Sequence, residues 1–239
     1  MPVLREAIIL AGGFGTRLQR VVSEVPKPMA PVNGKPFLDY VFSYLRYFGV
    51  NHVVLSVGYL ADKLTAHYGE AFEGMRLSYA RETTPLGTGG GMRLAMQQCH
   101  EEHVLVLNGD SFFDVDLERL ASQYSDSEAD GVLALRKVTD AARYGTICTG
   151  AGHRITAFRE KDGLAQPGTI NGGVYILKRD VFLNNTPPDA VFSVEKDFFE
   201  TRLSDLRLCG FEYEGYFIDI GIPEDYQKAQ DDFKEFTYR

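Results

Sequence analysis

The stretch that decides the fold is LREAIILAGGFGTRL, residues 4–18. Its first part, Leu4 to Leu10, is a short apolar run of the kind that forms a buried strand. The glycines that follow let backbone N–H groups approach phosphate oxygens without interference from a Cβ atom. Glycines alone are ambiguous, because a tight turn between a strand and a helix needs them too. The stretch predicts a strand followed by a loop that suits a phosphate group.

Beyond this stretch, apolar strands alternate with helices up to about residue 130. The helical pattern is clearest at 36–48, where apolar side chains recur at helical spacing and Gly49 provides a stop. Further strands are predicted at 52–57, 76–80 and 104–107, and further helices at 60–67 and 88–99. This alternation is typical of an α/β fold, with a mainly parallel central sheet flanked by helices.

After Gly131 the pattern changes to short strands separated by turns. They are predicted at 132–135, 146–148, 155–158 and 174–177, which is typical of mixed or antiparallel sheet. Helices are predicted at 192–203 and 223–236. Because the sequence contains no repeat, low-complexity tract or linker, residues 1–239 are predicted to form a single domain. Its first part is mainly 1–130 and its second part is mainly 131–215.

Composition excludes several classes of protein. The formal net charge is −8, whereas a nucleic-acid binder usually carries a basic excess. No apolar run approaches the roughly 20 residues of a membrane span, and no signal peptide is predicted. The three cysteines, Cys99, Cys148 and Cys209, are scattered and odd in number. They make a disulfide framework improbable, so we expect a cytoplasmic protein.

The glycine loop belongs to neither of two common phosphate-binding classes. A dinucleotide fingerprint built on Gly13 and Gly15 would need glycine in place of Leu18. A P-loop needs Gly-Lys-Ser/Thr after four intervening residues, and the sequence has none there. Arg17 follows the loop with a fixed charge and forked donors suited to phosphate.

The run 11–18, followed by Pro26-Lys27-Pro28-Met29-Ala30-Pro31-Val32, resembles the signature of the sugar-phosphate nucleotidyltransferases. Its continuation through 33–38 is most similar to the branch that guanylylates D-glycero-α-D-manno-heptose 1-phosphate. The resemblance extends over essentially the whole chain. It implies a Rossmann-like sheet with an inserted, smaller β-rich sugar-binding lobe, and dependence on Mg²⁺. It also implies two substrates, a nucleoside triphosphate (GTP above others) and a sugar 1-phosphate, with pyrophosphate as the second product.

The resemblance assigns four catalytic residues, Arg17, Lys27, Asp110 and Asp219. Asp110 and Asp219 each follow an apolar run, and ligands bind beyond the carboxyl ends of strands in open α/β sheets. The family pattern makes both of them Mg²⁺ ligands. Lys27 would meet a substrate phosphate near the α-phosphorus, and Arg17 would meet the triphosphate.

The remaining site residues are assigned by position in the same pattern. For the nucleotide, in the first part of the chain, they are Leu10, Ala11, Gly12, Gly13, Gly15, Thr16, Arg17, Glu82, Pro85, Leu86, Gly87, Thr88 and Asp110. For the sugar, mostly in the second part, they are Gly109, Tyr144, Gly145, Glu160, Lys161, Asn171, Gly172 and Glu195. Glu82 is a candidate for reading guanine, because a carboxylate can accept from the N–H donors of that base.

Two other functional classes stay open at this point. Asp114-Val115-Asp116 has the spacing of the metal motif of nucleotide-sugar-dependent glycosyltransferases, although such carboxylates also suit a helix N-terminus. A catalytically silent nucleotide-sugar sensor would have lost a phosphate or metal residue, and none is lost here. The base could also be that of another nucleotide, and the sugar could be mannose or glucose. The sequence leaves the oligomeric state open, including a homo-oligomer.

Overall fold

The computed structural model describes residues 2–13, 18, 22, 24–159, 163–236 and 238. The strands, in chain order, are β1 Glu6–Leu10, β2 Pro31–Val32, β3 Lys35–Pro36, β4 His52–Val57, β5 Ala71–Phe72, β6 Met75–Arg81, β7 His103–Asn108, β8 Ser111–Phe113, β9 Gly131–Val138, β10 Thr146–Thr149, β11 Ile155–Arg159, β12 Gly168–Lys178, β13 Leu208–Glu212 and β14 Phe217–Asp219. The helices are α1 Phe37–Tyr47, α2 Ala61–Tyr68, α3 Gly87–Met96, α4 Leu117–Ser127, α5 Arg179–Asn184 and α6 Pro223–Asp232, with a π-helix at Val194–Glu200.

One mixed sheet of ten strands organises the molecule. Its order is β11-β10-β12-β7-β1-β4-β6-β5, and β9 and β13 branch from β12. The central strands β7, β1, β4 and β6 are mutually parallel, whereas β12 runs antiparallel to both β7 and β9. The predicted α/β fold with a mainly parallel sheet is confirmed. The second part of the chain continues this sheet and does not form a separate one.

The two faces of the sheet bury two different sets of side chains, because successive residues of a strand point to opposite faces. In β1, Ala7 and Ile9 pack in one core, which α1 covers with its apolar face. Ile8 packs in the other core, which α3 covers through Met92 and Met96. Helices therefore cover both faces of the sheet, and its carboxyl edge stays open.

A buried polar contact fixes the opposite edge of the sheet. Glu6, at the start of β1, and His52, at the start of β4, are 4% and 3% exposed. Nδ1 of His52 lies 2.8 Å from Oε1 of Glu6, and Oε2 of Glu6 accepts hydrogen bonds from the backbone N–H groups of His100 and Glu101. These bonds pair a carboxylate that would otherwise be costly to bury.

Aromatic packing holds the small two-stranded sheet of β8 and β14 against the body of the protein. Phe112 of β8 contacts Phe233 edge to face at 5.5 Å and Tyr44 of α1 at 5.4 Å. The hydroxyl of Tyr238 donates to Asp114, just beyond β8. The two-stranded sheet of β8 and β14 is thereby fixed at the carboxyl edge of the main sheet. Within the described ranges, no helix is both long and apolar enough to span a bilayer.

Candidate active site

The first of two neighbouring cavities lies where the parallel strands end. Leu10 of β1 is in register with Ser56 of β4 and with Asn108 of β7, so the three strands end side by side. A cavity of about 420 Å³ opens there. Its lining residues come from the strand ends, the glycine loop and the start of α3: Leu10, Ala11, Gly12, Gly13, Lys27, Pro28, Ser56, Glu82, Pro85, Gly87, Thr88, Asn108 and Asp110.

Glu82 shapes the wall of this first cavity. Its Oε2 accepts a hydrogen bond from the backbone N–H of Leu86 at 2.9 Å, and its Oε1 accepts one from the Ser56 hydroxyl at 3.3 Å. A Cβ atom at Gly12 would lie 2.7 Å from Oε1 of Glu82, so glycine lets this carboxylate approach the loop closely. The carboxylate is thus held against the glycine loop, and it keeps acceptor capacity for further donors.

Lys27 and two aspartates form the charged centre at the rim of the first cavity. Nζ of Lys27 lies 2.5 Å from Oδ2 of Asp110 and 3.7 Å from Oδ1 of Asp219. The lysine side chain is only 12% exposed, and Pro26 and Pro28 restrict the backbone on either side of it. One ammonium group therefore bridges the carboxylates of Asp110 and Asp219, which are 109 positions apart in the sequence (219 − 110).

The pairing of β14 with β8 places Asp219 next to Asp110. Asp219 ends β14 and pairs with Ser111 of β8, and the N–H of Ile220 donates to the Asp110 carbonyl at 3.0 Å. Burial raises the pKa of Asp219 above its ordinary value of 3.8, and the charge of Asp110 raises it further, although Lys27 opposes both effects. The charge of Asp110 can act on Asp219 because the two carboxylates lie close together, with both within 3.7 Å of Nζ of Lys27.

The charge and chemistry of this centre fit a divalent cation. Mg²⁺ prefers oxygen ligands and in such sites uses one or two carboxylates together with phosphate oxygens and water. Asp110 and Asp219 supply two carboxylates in one place, and an ammonium group already lies between them. Among the described residues, no group of three or more His, Cys, Asp or Glu side chains could hold a metal ion. A metal at Asp110 and Asp219 would therefore need further ligands, such as phosphate oxygens and water.

A second cavity, of about 260 Å³, lies between the strands of the second part and the π-helix. It is lined by Arg143, Tyr144, Gly145, Thr146, Ile147, Phe158, Arg159, Asn171, Glu195, Lys196 and Glu200. The Asn171 amide donates to Oε1 of Glu195 and to the Tyr175 hydroxyl, both at 2.7 Å. Asn171 is therefore aimed by two partners, and its own Oδ1 accepts from the Gly173 N–H.

Two packing contacts connect the surroundings of the two cavities. Tyr144 of the second cavity packs against Phe217, two residues before Asp219, with ring centroids 6.3 Å apart. Gly173, two residues after Asn171, approaches Asn108 of the first cavity so closely that a Cβ atom would lie 2.6 Å from its Nδ2. Each contact lies two positions from an aspartate of the charged centre, since Asn108 precedes Asp110 and Phe217 precedes Asp219.

The structure brings most of the residues assigned from the sequence into these two cavities. Leu86 contributes its backbone N–H to Glu82 and does not line the first cavity. Gly109 donates its N–H to the Leu10 carbonyl at 2.9 Å, and Gly172 packs against Phe113. Neither of these glycines lines a cavity. The assigned residues Gly15, Thr16, Arg17, Glu160 and Lys161 lie outside the described residues.

Several lining residues were not assigned from the sequence. In the first cavity these are Pro28, Ser56 and Asn108, and in the second they include Arg143, Arg159 and Glu200. Ser56 and Asn108 carry a signal that sequence reasoning could have used, since both lie near the ends of strands predicted to be parallel. The charged residues of the second cavity carry no such signal, because charged side chains on loops and strand edges are common.

The carboxylates of Asp114-Val115-Asp116 have other partners. Asp116 accepts a hydrogen bond from the backbone N–H of Arg119 at 2.9 Å and caps α4, as carboxylates at helix starts do. Asp114 accepts from Tyr238. These contacts favour a structural role for both residues over the metal motif of a glycosyltransferase.

Phosphate groups suit glycine backbone and compensating charge, and Gly12, Gly13 and Lys27 line the first cavity beside the two carboxylates. The fold and the site together are those of an α/β enzyme that transfers a phosphate-containing group. Comparison gives the family: the chain belongs to the nucleotidyl transferase family, which it matches over residues 6–235.

Relatives cover the whole length of the chain. It is 44% identical to a D-glycero-α-D-manno-heptose 1-phosphate guanylyltransferase of Aneurinibacillus thermoaerophilus, over 97% of this chain and 99% of that protein. It is 40% identical to the protein of the same name from Campylobacter jejuni, over 92% and 96%. The fold matches the crystal structure of HddC from Yersinia pseudotuberculosis, with a TM-score of 0.84, 34% identity and coverage of 97% and 100%. A second structure of that protein, complexed with GMP-PN, matches with a TM-score of 0.83.

Proposed function

We propose that the protein joins GTP to D-glycero-α-D-manno-heptose 1-phosphate, giving the GDP-linked heptose and pyrophosphate. The observation that carries this proposal is the close approach of Lys27, Asp110 and Asp219 at the first cavity, with Tyr144 of the second cavity packed against Phe217 nearby. The identity to heptose 1-phosphate guanylyltransferases over almost the whole chain supports the choice of base and sugar. Action in the cytoplasm stays a prediction.

In the proposed reaction, an oxygen of the sugar phosphate attacks the α-phosphorus of GTP. The bond from this phosphorus to the bridging oxygen of the β-phosphate breaks, and pyrophosphate leaves with the electron pair. A phosphate dianion is already nucleophilic, so the reaction needs no general base. The barrier arises largely because two anions must meet, and positioned charge lowers it.

The residues of the charged centre supply that charge. Lys27 would neutralise the phosphate oxygens around the reacting phosphorus, since its ammonium group already lies at the rim of the first cavity. Asp110 and Asp219 are the residues that would hold Mg²⁺. When bound, the metal would offset the charge of the phosphates and help to orient them.

Glu82 is the residue proposed to read the base. It lines the first cavity beside Pro85 and Gly87, and its carboxylate can accept from N1–H and N2–H of guanine, which adenine does not present together. Ser56 and the Leu86 N–H fix the carboxylate in place. Asn171 and Glu195, joined by a hydrogen bond, are proposed to bind sugar hydroxyls.

The test is pyrophosphate release with Mg²⁺, crossing GTP, dTTP, UTP, CTP and ATP with heptose, mannose and glucose 1-phosphates. We expect GTP with D-glycero-α-D-manno-heptose 1-phosphate to give the highest kcat/KM. A higher kcat/KM with another pair would contradict the proposed base or sugar. No pyrophosphate from any pair, with folded protein that binds nucleotide, would contradict the reaction itself.

A further inference from the structure

The π-helix brings two glutamates to one wall of the second cavity. In a helix with i→i+5 hydrogen bonds, residues four or five apart lie on the same side, whereas an α-helix aligns residues three or four apart. Glu195 and Glu200 are five apart in Val194–Glu200, and both line the cavity. Phe198 and Phe199 are buried on the opposite side. The irregular helix thus adds Glu200 to a site that already contains Glu195.

Glu200 and Arg159 are available to a ligand. Neither side chain forms a hydrogen bond or an ion pair with the residues that the structure describes, and both are exposed to the second cavity. Together they offer a carboxylate acceptor and a guanidinium donor. A pair of opposite charge does not favour a phosphate or another anion, but it suits neutral hydroxyl groups, each of which both donates and accepts.

These two residues lie at the end of the second cavity that is farther from the charged centre. The near end is marked by Tyr144, which packs against Phe217 beside Asp219. Arg159 ends β11, which β10 and β12 separate from β7, so it lies about 14 Å across the sheet from β7 at the usual strand spacing. Glu200 follows Phe199, whose ring stacks on Phe158 of β11 at 6.2 Å.

From this placement we propose that Glu200, with Arg159, binds the exocyclic hydroxyls of the sugar and so determines selectivity for a heptose over a hexose. The inference rests on the proposed function. The phosphate of the bound sugar must face the charged centre, so the exocyclic carbons point to the far end. A heptose ends in two adjacent exocyclic hydroxyls, whereas mannose has one. Only the heptose can donate two hydrogen bonds from exocyclic hydroxyls to one carboxylate.

The experiment compares wild type and Glu200→Gln with heptose 1-phosphate and mannose 1-phosphate at saturating GTP. We expect the variant to raise KM for the heptose about tenfold, the usual effect of weakening a hydrogen bond to a charged group. The KM for mannose 1-phosphate, the KM for GTP and kcat should change less than about twofold. Glu118→Gln, which removes an exposed carboxylate from α4, is the matched control and should behave as wild type.

The two proposals can fail separately. If wild type does not release pyrophosphate from GTP and the heptose, the proposed function is wrong whatever the variant does. If wild type does so but Glu200→Gln changes KM equally for both sugars, or for neither, the role of Glu200 is overturned. Either conclusion about Glu200 requires that the variant and wild type unfold at the same temperature. We expect this because Glu200 is exposed.

Discussion

The ammonium group of Lys27 lies 2.5 Å from the carboxylate of Asp110 and at the same time within 3.7 Å of Asp219. In this arrangement the lysine occupies the space between the two carboxylates proposed to hold a metal. A divalent cation cannot enter that space without displacing a like charge. Nucleotide phosphates would draw the ammonium group away, so we expect metal and nucleotide to bind together.

Lys27→Met should raise the affinity of the nucleotide-free protein for Mn²⁺ about tenfold, because the competing charge is removed. The same change should lower turnover, since the phosphates lose a cation. Electron paramagnetic resonance of free Mn²⁺ measures the affinity without any reaction. Lys178→Met, which removes an exposed lysine paired with Glu102, should leave the affinity unchanged. Equal or weaker Mn²⁺ binding by Lys27→Met would show that the lysine does not compete.

Asp110→Asn should lower kcat at saturating Mg²⁺ at least about a hundredfold, because the amide is a poor metal ligand and leaves phosphate charge uncompensated. Pyrophosphate release measures the effect. Asp114→Asn serves as the control, since Asp114 contacts Tyr238 and lines neither cavity. Turnover close to that of wild type would exclude the metal-binding role assigned to Asp110.

Glu82→Gln should raise KM for GTP about tenfold or more and leave KM for the sugar 1-phosphate unchanged. The amide can replace the acceptor for the Leu86 N–H, but it presents a donor where guanine also has donors. Steady-state kinetics with each substrate varied in turn separates the two constants. If KM for GTP does not change, Glu82 only braces the loop that carries Pro85 and Gly87.

Glu6→Gln should destabilise the fold by about 1–3 kcal/mol at pH 7, because the carboxylate accepts two backbone hydrogen bonds and contacts His52. Burial acts to raise the pKa of Glu6, but the bonds from Glu101, His52 and His100 outweigh it and hold the pKa below 4.5. A carboxyl group with a lowered folded-state pKa stabilises the protein above its unfolded-state pKa. That contribution is lost as the pH falls through the folded-state value.

Urea unfolding of wild type and Glu6→Gln across pH 7 to 3 measures this contribution. The difference in unfolding free energy between them should be constant at neutral pH and shrink below about pH 4.5. A difference that stayed constant to pH 3 would mean that Glu6 does not titrate in this way. Kinetics at pH 7 should be unaffected, since Glu6 lies at the edge of the sheet opposite the cavities.

Whether an element can be predicted from the sequence depends on whether the contacts that form it are local or distant in the chain. The strand 52–57 was predicted with the observed bounds of β4, because burial on both faces produces a continuous apolar run. The short strands β13 and β14 were not predicted. β13 pairs with β9, more than 70 positions earlier, and no local pattern reports such pairing.

In the candidate site, residues that belong to contiguous sequence motifs were assigned. Residues that only the fold brings to the site, such as Ser56 and Asn108, were not assigned. A helix at 192–203 was predicted from apolar spacing, but the structure has a π-helix at Val194–Glu200. The spacing does not distinguish i→i+4 from i→i+5 hydrogen bonding, and the position of Glu200 depends on that difference. The strand predicted at 174–177 extends back to Gly168, past a register shift between Asn171 and Tyr175.

The strand order separates the positions of this enzyme that tolerate substitution from those that its reaction requires. β12 pairs directly with β7 and so ties the second cavity to the strand that leads to Asp110. β11, by contrast, pairs only with β10 among the described strands, and with the π-helix it forms the outer wall of that cavity. Substitutions there alter the shape offered to a sugar without moving the reacting groups. New sugar preferences can thus evolve at the periphery of this sheet while the chemistry at its centre is inherited intact.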